Sequence, residues 1–84
     1  MMQIIIWDNE ADRIAEIDKN LHLALKELSV RAIVTINSEP PSIAREQLLE
    51  TLPVIEINGK YWSIKPGKAF SKKECISLLR EIIT

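Results

Sequence analysis

Few side chains in this chain could carry covalent or acid–base chemistry. Its 84 residues hold one thiol, Cys75, and one imidazole, His22. A single cysteine excludes an internal disulfide and any all-cysteine metal site. His22 stands off the apolar stripe of its segment and reads as a surface residue rather than a metal ligand. Asp8, Glu10 and Asp12 crowd a loop–helix junction. They could hold a divalent cation through oxygen ligands, but compensation of a helix dipole accounts for them more simply. Lys68, Lys72 and Lys73 surround Ser71, where a helix begins. Free N–H groups beside those ammonium groups would make an anion site, and the same lysines also serve as solubilising charge. There is no glycine-rich phosphate loop, because the only glycines are Gly59 and Gly67. No Ser/Cys–His–Asp arrangement supports nucleophilic catalysis.

The elements that must position these groups are well marked. Gln3 to Trp7 reads Gln-Ile-Ile-Ile-Trp and does not alternate polar with apolar, as in a strand buried on both faces. Asp8 or Asn9 caps a helix expected from about Glu10 to Leu28. Ile14, Ile17, Leu21, Ala24, Leu25 and Leu28 form its apolar stripe. Val30 to Ile36 is β-branched and reads as a second strand. Pro40 and Pro41 force a loop, and a second helix could start at Pro41 and end near Glu50. Pro53 opens a third strand, Val54–Ile57, and Asn58-Gly59 turns it into a fourth, Tyr61–Ile64. Ser71-Lys72-Lys73-Glu74 is a capping box, with Phe70 and Cys75 placed as a hydrophobic staple. The last helix follows, with Ile76, Leu79, Ile82 and Ile83 on an apolar face. Cys75 then faces the core, where inert packing outweighs reactivity.

This order predicts one α/β domain over residues 1–84: a right-handed βαβ unit, a helix, a hairpin and a last helix. The sheet is four-stranded and mixed, with helices on both faces. Hydrophobic residues make up 46% of the chain, which excludes a disordered segment. No apolar run approaches the ~20 residues that cross a bilayer, and no signal peptide is evident. A soluble cytoplasmic protein is the expectation. The net charge of −1 predicts no field that captures nucleic acid. That charge is unevenly shared: residues 1–58 sum to −5 and residues 59–84 to +4. Solvated faces explain this split, and so would docking on a partner, or on a second copy, through the basic end.

The element order, the chain length and the Pro-Val-x-x-Ile-Asn-Gly-Lys run at residues 53–60 resemble the thioredoxin superfamily, nearest its small glutaredoxin-like branch. The resemblance spans essentially the whole chain. Lys26-Glu27-Leu28 matches the end of that family's first helix, and Gly67, Ser71 and Glu74 match its approach to the last one. It implies a cis Leu52-Pro53 bond. It also places the family's Cys-x-x-Cys on Ala11-Asp12-Arg13-Ile14, where neither cysteine is present. A dithiol centre needs a thiolate stabilised at a helix N-terminus and a second thiol to resolve the mixed disulfide. Ala11 and Ile14 supply neither, so the resemblance does not extend to dithiol chemistry.

What the resemblance leaves is recognition. In the superfamily the residue before the cis proline pairs its backbone with an extended peptide. The matching surface here is Trp7 to Arg13, Leu52 and Pro53, with Trp7 either an aromatic anchor or a core tryptophan. The expected function is therefore a protein- or peptide-binding or assembly module that uses no cofactor and no metal. Residual thiol or glutathione-linked activity through Cys75 is one alternative. A structural subunit that self-associates is another.

Overall fold

A computed structural model describes residues 1–83. The elements are β1 (Met2–Trp7), α1 (Ala11–Glu27), β2 (Ala32–Asn37), α2 (Pro40–Arg45), a 3₁₀ turn (Leu49–Thr51), β3 (Val54–Ile57), β4 (Lys60–Trp62) and α3 (Lys72–Ile83). The sheet order is β2-β1-β3-β4. β1 and β2 are parallel, with Ile4 opposite Val34. β1 and β3 are antiparallel, with Ile6 opposite Ile55. β3 and β4 form an antiparallel hairpin. The molecule is a small α/β domain with an open, mixed, four-stranded sheet and three helices.

The central strand β1 divides its side chains between two cores. Ile4 and Ile6 face α1 and α3, where they meet Ile17, Leu21, Ala24, Leu25, Ile55, Ile57, Phe70, Cys75, Leu78 and Leu79. Ile5 and Trp7 face the other way, toward Ile43, Leu48, Leu52 and Val54. That is why β1 shows no alternation in sequence: both of its faces are covered. Each large aliphatic side chain buried in this way contributes about 1.5–3 kcal/mol. Among the described residues no helix is long and apolar enough to cross a membrane.

Three boundaries differ from the sequence expectation. α2 ends at Arg45 instead of continuing to Glu50. Gln47 adopts φ 58°, its N–H donates to Ala44 O at 3.0 Å, and Leu48 N–H donates to Ile43 O at 3.1 Å. That is a Schellman stop, here without glycine, and the Leu48–Ile43 contact that accompanies such stops lies in the smaller core. α1 stops in the same way, with Ser29 at φ 55° and Val30 N–H donating to Leu25 O at 2.9 Å. Val30 is consumed by that stop, so β2 starts at Ala32. The hairpin turn has Asn58 at φ 49° and Gly59 at φ 87°, both left-handed as a two-residue turn requires. Asn58 also anchors the turn to β1, donating from its N–H to Gln3 O and accepting from Gln3 N–H on Oδ1. β4 then begins at Lys60 and ends at Trp62, shorter than expected.

Candidate functional site

The end of the sheet where β1 runs into α1 gathers the residues singled out for function. β1 delivers Asp8 into the interior, where it is fully buried. Arg13, in the first turns of α1, reaches back to it. Its Nε donates to Oδ2 at 2.6 Å and its Nη2 to Oδ1 at 2.5 Å. Oδ1 also accepts from Asn9 N–H at 2.8 Å. A two-pronged guanidinium–carboxylate contact of this kind is shorter and stronger than a neutral hydrogen bond and neutralises the buried carboxylate. The hydrogen bond to Asp8 pushes the Arg13 pKa above its ordinary value, against the opposing effect of burial. The Arg13 side chain keeps 17% of its surface exposed, so the pair closes this end of the sheet from inside while its outer edge meets solvent.

Around that pair the four positions Ala11-Asp12-Arg13-Ile14 separate. Ala11 and Asp12 are exposed and Ile14 is half-buried. Glu10 caps α1 by accepting from Asp12 N–H at 3.2 Å. Asp8, Glu10 and Asp12 therefore do not converge on a common point: one is committed to Arg13 and another to the helix. Among the described residues no group of three or more potential ligands could hold a metal ion.

Trp7, Leu52 and Pro53 lie beneath this surface and not on it. Trp7 is buried in the smaller core; its Nε1 donates to Glu56 Oε1 at 2.8 Å, and its ring meets Tyr61 edge-on at 6.4 Å. It is a core tryptophan with its polar atom satisfied. Leu52 and Pro53 are buried, and the Leu52–Pro53 bond is cis. The Leu52 carbonyl accepts from Gly67 N–H at 2.8 Å, so that acceptor is taken. Gly67, at φ 82°, brings the loop before α3 against this end.

Two hollows flank the Asn9–Arg13 segment. One, of about 310 Å³, is lined by Glu10, Asp12, Arg13, Glu16, Gly67 and Ala69. Its charged rim is three carboxylates against one guanidinium that Asp8 already occupies. The other, of about 190 Å³, is lined by Asn9, Pro40, Ile43, Ala44 and Leu49 and is apolar in character. Leu49 beside it is 61% exposed.

At the N-terminus of α3 the polar groups are engaged within the chain. Ser71 Oγ accepts from Glu74 N–H at 3.0 Å, and Glu74 Oε1 accepts from Ser71 N–H at 2.9 Å. The capping box thus places a carboxylate where an anion would sit, and Lys72 turns away to Glu27 at 2.9 Å. The Lys68 backbone N–H closes a turn onto Lys65 O at 3.1 Å. Cys75, one turn in, is fully buried, and desolvation followed by the nearby Glu74 charge pushes its pKa up to about 12. His22 is exposed and contacts Asp18 one turn earlier, at 3.3 Å from the carboxylate.

Sequence reasoning missed the Asp8–Arg13 pair, although Asp8 and Arg13 bracket the expected helix start five residues apart. It also missed a groove of about 400 Å³ between β4 and α3, floored by Trp62 and Leu78 and edged by Lys73 and Glu81. No family model matches the chain, and no curated protein matches it.

Proposed function

We propose that this chain is a redox-inert member of the thioredoxin superfamily, whose former dithiol end serves as a recognition surface for an extended protein segment. The Asp8–Arg13 ion pair carries this reading. It occupies the end of the sheet where the resemblance puts the cysteines, and it fills that place with a charge pair that cannot exchange sulfur. The element order and the sheet order β2-β1-β3-β4 support the resemblance. The one thiol is buried and its pKa is raised, which supports reading Cys75 as inert packing.

The binding surface on this reading is the outer side of the Asn9–Arg13 segment and its two hollows; Leu52 supports both from behind, sharing a core cluster with Ile43 and accepting from Gly67 N–H. The partner is a segment with an apolar side chain for the Pro40–Leu49 hollow and a neighbouring lysine or arginine for the Glu10–Glu16 hollow. Isotope-labelled chain titrated with short peptides tests this. Amide shifts at Asn9–Arg13, Ala44, Leu49 and Gly67 are expected with an apolar–basic peptide and not with its glutamate counterpart. Shifts confined to α3 and β4, or equal shifts with both peptides, contradict it.

A further inference from the structure

The two open edges of the sheet are built differently. β4 is three residues long, begins with Lys60 and leaves a tight turn. Short, lysine-bearing edges resist pairing with a foreign strand. β2 has none of these protections. Its six residues, Ala-Ile-Val-Thr-Ile-Asn, include no charge and no proline. Ile33 and Ile36 are each 48% exposed and stand on opposite faces of the strand.

The backbone along this edge is open as well. The Asn37 carbonyl accepts from Asp8 N–H at 3.3 Å and so points inward, toward β1. Alternation then turns the N–H and C=O groups of Ala32, Val34 and Ile36 outward. We propose that β2 pairs antiparallel with β2 of a second copy of this chain, about a twofold axis at Thr35, joining two four-stranded sheets into one.

The sequence around the strand selects that register. With the axis at Thr35, Val34 faces the partner's Ile36 as a doubly hydrogen-bonded apolar pair, and Thr35 faces its own copy. Arg31 then stands opposite the partner's Glu39. Both are exposed, and within the chain neither is in an ion pair among the described residues. Moving the axis to Val34 sets Arg31 against Asn37, and moving it to Ile36 sets Ile33 against Glu39. Of these three axes only Thr35 sets Arg31 against the partner's Glu39 while keeping Val34 against Ile36, at the cost of leaving Ile33 opposite the partner's Asn37; opposite-charge and apolar cross-strand pairs are what stabilise an antiparallel interface. This interface is argued from other residues than the recognition surface proposed above.

Sedimentation equilibrium of the intact chain from micromolar to millimolar concentration tests the proposal. A species of twice 9.6 kDa is expected to grow in with concentration. Ile36→Lys should return it to monomer while leaving the circular dichroism spectrum and Tm of the fold in place. Arg31→Glu should weaken dimerisation by about tenfold, since two symmetric ion pairs become repulsive, and Arg31→Glu with Glu39→Arg should restore it. A monomer at every concentration overturns the proposal and leaves the edge to some other strand. A dimer indifferent to Ile36→Lys, or a charge swap that does not restore it, overturns the interface.

Discussion

α1 and α3 both begin where an active centre would be sought, and they use that position in opposite ways. At α1 the first turns present polar groups: Glu10 on the cap, Asp12 in solvent, and Arg13 folded back onto buried Asp8. At α3 the capping box seals the end, and the first turn inward is Cys75, fully buried. A helix N-terminus lowers a thiol pKa when the thiol is exposed to its dipole and to water. Cys75 has the position without the exposure, and desolvation wins, raising its pKa to about 12. The comparison teaches that location on a helix does not make a reactive group. The α1 end buries a charge pair and has no sulfur, and the α3 end keeps its charges outside and buries its sulfur.

The largest effect should come from breaking the α1 side. Arg13→Ala leaves Asp8 buried without its partner and should cost about 3–5 kcal/mol by urea denaturation. A domain of this size has on the order of 5–15 kcal/mol in total, so the variant loses a large share of its stability. Asp8→Leu combined with Arg13→Met removes both charges and should recover most of that loss, because the attraction of a buried pair largely offsets its desolvation. If Arg13→Ala were nearly neutral, the pair would be a surface contact and the contrast between the two ends would fail.

The next effect lies on the α3 side and appears in the pH dependence. The folded thiol stays protonated up to about 12, while an unfolded one deprotonates from about 9. Above the lower value the unfolded state binds fewer protons, so stability falls as pH rises, by about 1.4 kcal/mol per pH unit from this group alone. Below that value the thiol contributes no slope. The stability advantage of the native chain over Cys75→Ala should therefore shrink between pH 9 and pH 11 and stay constant between pH 6 and pH 8. A constant difference throughout would mean that the thiol is not desolvated.

The smallest effects compare the two caps. Ser71→Ala removes a reciprocal capping hydrogen bond and should cost about 1 kcal/mol. Glu10→Ala removes a single, longer contact at 3.2 Å and should cost about 0.3 kcal/mol. Thermal melts resolve the difference in sign and order.

How much of this was legible beforehand follows from what each feature depends on. The α3 start was readable because Ser71, Glu74, Phe70 and Cys75 lie within six residues and act locally. The sheet was readable because the unbroken apolar run in β1 requires two covers. The stops of α1 and α2 were not, because Ser29 and Gln47 take the left-handed conformation that glycine usually marks. The burial of Trp7 depends on where Ile43, Leu48 and Leu52 come to rest, which is a tertiary fact. In the sequence Asp8 reads as a cap, because a carboxylate before a helix usually is one. Its burial, and the reach of Arg13 back to it, show only once β1 is seen to end inside the domain.

Alkylation of the native chain by iodoacetamide at pH 8, followed by intact mass, tests the central claim most directly, since Cys75 is the only thiol. No added mass is expected until denaturant is present, and then one adduct per chain. Full modification of the folded protein within minutes would place a reactive thiol at the surface and contradict it.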